Sequence, residues 1–107
     1  MDHIEVENSG LTIPEEDKQS VFQLATILDR RWNERDAKSF ADLFELHGDF
    51  RFHTGSWIVG KRAIEDFWRD QVFAGLAEGI RHVVTIKRVR FVTDSVAIGD
   101  GTLRVLI

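Results

Sequence analysis

Apolar residues recur first at a helical period and later at a period of two, and these changes of period delimit the elements. Val21, Leu24, Ala25, Leu28 and Trp32 stand three or four apart, which predicts a first helix over about 14–33 with one buried stripe. Pro14 followed by Glu15, Glu16 and Asp17 marks its start, with a proline at the first turn and acids against the helix macrodipole. Phe22, Asp29 and Asn33 fall to one side of that stripe, Asp29 and Asn33 one turn apart. Ala37, Phe40, Ala41 and Phe44 share a face, predicting a second helix over 37–46 with Asp36 as its N-cap. After His47-Gly48 the residues alternate, with Phe50, Phe52 and Thr54 on one side and Arg51 and His53 on the other. Gly55-Ser56 is a turn signal and Trp57-Ile58-Val59 a returning strand, so 49–59 reads as a hairpin. Ile64, Phe67, Trp68 and Val72 predict a third helix over 61–73, followed by a loop from Gly75 to Gly79.

The last third is rich in β-branched residues. On one parity His82, Val84 and Ile86 give way to Arg88 and Arg90, while on the other Arg81 and Lys87 precede Val89 and Phe91. The apolar face of this strand, 82–92, therefore changes sides, which predicts a bulge or strong bend near Lys87. Thr93-Asp94-Ser95 reads as a turn and 96–107 as a final strand. Gly99-Asp100-Gly101 interrupts that strand as a bulge, a close backbone approach or a tight turn. Residues 1–13 are charged and aperiodic and read as a flexible arm. The order α-α-β-β-α-β-β over 14–107 predicts one α+β domain, a cone-like curved antiparallel sheet with three helices across its concave side. Such a concavity is where a small molecule would bind.

Composition sharpens this picture. Eight Phe and three Trp in 107 residues predict an aromatic interior. A net charge of -4 argues against a nucleic-acid partner held by bulk electrostatics. The absence of cysteine removes disulfides, thiolate nucleophiles and zinc–sulfur sites, and agrees with a cytoplasmic setting. No stretch is apolar enough for a membrane span or a signal peptide.

The run Arg31-Trp32-Asn33-Glu34-Arg35-Asp36-Ala37, with Phe40 and Leu43-Phe44, resembles the helix pair of the nuclear-transport-factor-2-like superfamily. Phe52-His53-Thr54-Gly55-Ser56-Trp57-Ile58-Val59-Gly60-Lys61-Arg62-Ala63-Ile64 resembles its hairpin and the start of its third helix, in the SnoaL-like branch and its SgcJ/EcaC-type relatives. The resemblance extends over about residues 14–107 and implies the cone fold. The superfamily hosts isomerases, cyclases, dehydratases and non-enzymatic association domains, so function has to be argued from the site. Compared with the dehydratases, His82 matches a catalytic histidine, Asn33 stands where the helix-one acid would be, and Gly101 replaces the second histidine. Compared with the steroid isomerases, Thr54 falls near the position of the general base and Asp29 near that of a tyrosine donor, so neither group is matched. Family members usually continue with further strands beyond the position of Ile107, so the apolar end Leu103–Ile107 implies either a dimer across that edge or a longer natural chain.

The candidate catalytic residues are His82, Asp29 and Asp100. His82 can exchange a proton near neutrality, or it can be a buried histidine bonded to a carboxylate. An acid desolvated among aromatic rings could take part in proton transfer, whereas a solvated helix residue (Asp29) or a turn residue (Asp100) would not. Trp32, Asn33, Phe52, Thr54, Trp57 and Trp68 are the candidate ligand-binding residues, with core packing the leading role for Trp32 and Trp68 and a rim position for Trp57. His53 is expected outward, His47 at a helix C-terminus, His3 in the arm, and Arg88 and Arg90 on a solvated or interfacial face. No histidine pair has ligand spacing, so no metal is expected. The expectation is a small-molecule-binding protein taking an apolar or ring-shaped ligand, with cofactor-free proton-transfer chemistry (isomerisation, cyclisation or dehydration). The alternative is a non-catalytic homodimeric association or ligand-sequestering module.

Overall fold

The computed structural model describes residues 4–107, so His3 and the first part of the expected arm lie outside the described residues. The fold class is α+β. Strand β1 spans Glu5–Glu7, helix α1 Glu15–Asn33, helix α2 Ala37–Ala41, strand β2 Asp49–Arg51 and strand β3 Trp57–Val59. Helix α3 spans Lys61–Phe67 and continues through a π-helical turn, Trp68–Val72, and a 3-10 turn, Phe73–Gly75; strands β4, Arg81–Thr93, and β5, Val96–Leu106, follow. No helix among the described residues is long and apolar enough to cross a membrane. The chain divides into two compact units, one formed by the chain up to Asp29 with His82–Leu106, the other by Arg30–Arg81 with Ile107.

In the first unit the sheet order is β1-β4-β5. The expected all-antiparallel sheet is instead mixed, because β1 runs parallel to β4 with Glu5 opposite Arg88, Val6 opposite Val89 and Glu7 opposite Arg90. Part of the segment read as a loose arm is therefore a strand. The reason is charge as much as pattern. Two glutamates meet Arg88 and Arg90 of β4, and Arg88 Nη2 donates to Glu7 Oε2 at 2.6 Å. That hydrogen bond, then the charges of Glu7, Glu5 and Asp100, hold the Arg88 guanidinium above its ordinary pKa. Arg88 and Arg90 are thus half-buried beside β1 rather than a solvated face.

Strand β4 buries His82 near its start and Val89 and Phe91 near its end, so its buried face changes parity within one continuous strand. Ile13, Val89 and Phe91 form the core here, with Val21 and Phe22 of α1 and Ala97 of β5 packed on it. Leu24 faces outward at 45% exposure, whereas Ala25 is buried and Asp29 half-buried. The inward stripe of α1 is therefore rotated from the expected one, and Asp29 lies on it. A two-residue turn, Asp94-Ser95, joins β4 to β5, which makes the pair antiparallel. Gly99-Asp100-Gly101 lies inside β5, which excludes the tight turn and agrees with a close backbone approach. A Cβ at Gly101 would collide with the Thr85 carbonyl oxygen and sit 3.2 Å from the Ile86 Cα.

The second unit is built on aromatic packing. Helix α2 begins as expected, with the Asp36 side chain accepting from the Ser39 N–H at 3.1 Å. It ends earlier than expected, at Ala41, because the next turn tightens to i→i−3 bonds such as Phe44 N–H to Ala41 O at 3.0 Å. The Leu46 carbonyl then accepts from Lys61 N–H at 3.0 Å instead of continuing a helix. In the hairpin Phe50 stands opposite Ile58 and Arg51 opposite Trp57. Gly60 sits at φ 99°, a left-handed conformation suited to glycine, and its carbonyl accepts the first bond of α3 from Ile64 at 3.0 Å. The third helical segment is not a uniform α-helix to 73, since the N–H of Phe73 reaches back to the Trp68 carbonyl in π-helical fashion. Trp68 is stacked on Phe40 with ring centroids 4.8 Å apart and meets Phe50 edge-on at 4.5 Å.

A substitution pair tests the close approach. Gly101→Ala should cost about 1–3 kcal/mol of stability through backbone displacement. Gly75→Ala meets open space and should stay within about 0.5 kcal/mol of the parent. Urea unfolding of the two variants side by side checks both values.

Candidate functional site

The site begins with a carboxylate on the inward stripe of α1. Asp29 Oδ1 lies 2.7 Å from His82 Nδ1, and Asp29 Oδ2 accepts from the backbone N–H of Val84 at 2.8 Å. The Asp29 side chain is 16% exposed and that of His82 10%. Helix spacing brings Asp29 inward, and the strand presents His82 and the Val84 amide together at the start of β4. An ionised carboxylate can only accept, so the ring nitrogen facing it carries the proton and the lone pair of the neutral imidazole lies on Nε2. The arrangement sets both the tautomer and the tilt of the ring, which is what a general base requires of its supporting acid.

Of the three expected catalytic residues the structure thus brings Asp29 and His82 together. Asp100 departs from expectation. It is exposed on β5, and its charge acts on Arg88. Of its flanking glycines, Gly101 serves the close approach of β5 to β4.

The expected ligand-binding residues divide by what they touch. Trp32 is 7% exposed and meets Phe73 edge-on at 5.6 Å. Trp68 is 2% exposed, and Phe52 is half-buried against Phe67 at 5.1 Å and Trp68 at 5.9 Å. These rings form hydrophobic packing within the second unit. Asn33, half-buried, is the last residue of α1. Thr54 is exposed at the hairpin tip, its Oγ1 3.4 Å from Ser56 Oγ. Trp57 is 58% exposed, donates from Nε1 to Asp49 Oδ2 at 2.7 Å and carries the Arg51 guanidinium 4.6 Å above its ring. With Phe67, Asp66 and Asp70 it lines an open hollow of about 400 Å³ that holds none of the other candidate site residues. His53 is exposed beside Phe52, and His47 is also exposed. Among the described residues no cluster of three His, Cys, Asp or Glu could hold a metal ion.

One residue of consequence was not singled out from sequence. Arg35, at φ 58°, donates from its guanidinium to the carbonyls of Leu76 at 2.8 Å, Ala77 at 2.6 Å and Ile80 at 3.3 Å. It fixes the loop that leads into β4. A lone arginine between two predicted helices carries no local mark of such a role, because its partners lie more than forty positions away.

A crystal structure of a domain of unknown function with a cystatin-like fold, from Nostoc punctiforme PCC 73102, is similar to this chain at a TM-score of 0.79 and 24% sequence identity. The match covers 88% of this chain and 57% of that one, so the chain spans a little over half the length of its structural neighbour. At this identity the likeness shows the fold alone. No family model matches the chain, and no curated protein matches it.

The bridge makes a direct prediction. Asp29→Asn keeps one acceptor for two donors, so it should lower stability by about 1–3 kcal/mol. Chemical denaturation measures the loss, and imidazole ¹⁵N shifts should show His82 losing its preference for the Nδ1–H tautomer. An unchanged tautomer would separate Asp29 from the control of the ring.

Proposed function

We propose that this chain is a SnoaL-like member of the nuclear-transport-factor-2-like superfamily that binds a small apolar or ring-shaped molecule and moves a proton on it without a cofactor. His82 is the proton-transfer group and Asp29 its positioning residue. The observation that carries this reading is the Asp29 bridge, which holds His82 Nδ1 at 2.7 Å and the Val84 amide at 2.8 Å. In the proposed step Nε2 takes a proton from a carbon beside an electron-withdrawing group, and the imidazolium returns it to the resulting enolate at a second position or to a departing hydroxide, which leaves as water. The two helix-and-hairpin segments that resemble the superfamily support the assignment, and the cysteine-free sequence suits a reducing cytoplasm.

A second reading is favoured by one observation. The apolar strand β5 is exposed, with Leu103 and Val105 each 57% accessible, as an association module would require. In that reading the Asp29–His82 bond serves stability alone.

Hydrogen–deuterium exchange of a panel of enolisable cyclic ketones in D₂O, followed by proton NMR, separates the two. The enzyme reading expects acceleration by the parent protein and a loss of about 10²–10⁴-fold in His82→Gln, the usual worth of general acid–base catalysis. Equal rates for parent, variant and buffer would remove the catalytic role from His82.

A further inference from the structure

Helix α1 ends in a hydrogen-bond pattern that ordinarily calls for glycine, and the residue found there is Arg35. The N–H of Arg35 donates to the Trp32 carbonyl at 2.9 Å, and the N–H of Asp36 to the Arg31 carbonyl at 3.3 Å. These i→i−3 and i→i−5 bonds form the paired closure common at helix C-termini, in which the residue just past the helix is left-handed. Arg35 occupies that position at φ 58°. Glycine takes such a conformation freely, whereas a residue with a Cβ is disfavoured in it. A backbone outlier of this kind points to a role for the side chain placed there.

The half-buried Arg35 side chain runs to the segment just ahead of β4. Its Nη1 donates to the Leu76 carbonyl at 2.8 Å, and its Nη2 to the carbonyls of Ala77 at 2.6 Å and Ile80 at 3.3 Å. A planar guanidinium holds several acceptors in one rigid fork, which a lysine ammonium does not reproduce. One residue, the exposed Arg81, separates Ile80 from His82. Beyond it, Asp29 holds the imidazole at 2.7 Å and the Val84 amide at 2.8 Å. The backbone that carries the imidazole is thus held just before it by Arg35 and just after it by Asp29. Asp29 sets the tautomer, and Arg35 limits how far the incoming chain can pivot about that bond.

We infer that Arg35 is a positioning residue for His82, fixing the direction of Nε2 by clamping the 76–80 backbone. This role rests on the reading of His82 as the proton-transfer group, and Arg35 itself touches no reacting atom. The left-handed conformation is the local cost of bringing the guanidinium to those carbonyls. Misplacing a reacting group by about 1 Å can slow a reaction about a hundredfold, so a clamp on the backbone beside His82 has catalytic weight.

Arg35→Gly separates the clamp from the helix end, since glycine suits the left-handed position and carries no side-chain donor. Native-state amide exchange and imidazole ¹⁵N shifts read the result without any substrate. In folded Arg35→Gly the Val84 amide should exchange at least about tenfold faster, while the amide of the buried Val89, further along the strand, keeps its rate. The His82 ¹⁵N signals should move toward the average of the two tautomers. On the ketone that the parent exchanges fastest, kcat should fall about tenfold or more with KM within about twofold. Arg35→Lys, which keeps the charge and most of the stem, should lie between the parent and Arg35→Gly, and it carries the comparison if the glycine variant does not fold. Unchanged Val84 exchange and His82 shifts in a folded variant overturn the inference. So does an equal acceleration at Val84 and Val89, which marks a purely structural arginine. A parent without activity would remove the proton-transfer reading of His82, while amide exchange and ¹⁵N shifts would still decide whether Arg35 holds the ring.

Discussion

A carboxylate held largely out of water must find donors for both its oxygens, and Asp29 finds them in His82 and the Val84 amide. The chain leaves its first unit after Asp29 and returns to it at His82, so this hydrogen bond joins the residues of departure and re-entry. Closing a long intervening segment costs conformational entropy, and a charge-assisted bond at its base offsets part of that cost. The same bond fixes the imidazole tautomer. Packing and the imidazole tautomer therefore rest on one pair of side chains.

Strand β4 carries the rest of the first unit, because both β1 and β5 lie against it. Its two ends bury opposite parities, His82 at one and Val89 with Phe91 at the other. Arg88 and Arg90, on either side of the buried Val89, would be costly there without countercharge. The acidic segment Glu5–Glu7 supplies it by pairing in parallel, which turns an aperiodic stretch into a strand. On the other side β5 must come close, and Gly101 permits this because any Cβ would meet the Thr85 carbonyl.

In the second unit the aromatic rings satisfy one another. Trp68 gathers Phe40, Phe50, Phe52 and Phe67 around it. The π-helical turn that begins at Trp68 lets the helical segment keep that ring inward while its exposed side carries Arg69 with Asp66 and Asp70. Aromatic residues that on composition could have lined a binding site are here mainly packing groups, with Trp57 and Phe67 also lining a solvent-facing hollow.

Local signals were legible because they act within a few residues. The start of α1 after Pro14, the Asp36 cap, the 49–59 hairpin and the change of buried parity along β4 all follow from periodicity and capping chemistry. The lengths of α2 and α3 were less legible, since competing hydrogen bonds from Leu46 and the π turn at Trp68 shorten them. His82 and Asp29 could each be singled out by residue type, but 53 positions separate them and no local pattern pairs them. Asp100 looked equally suitable as an acid, and only the tertiary structure sent its glycine neighbours to the β4 contact. The sequence by itself determined where the chain could be helix or strand and which side chains could do chemistry. The tertiary structure decided which of those side chains meet, because a buried charge selects its partners by proximity in space and not along the chain.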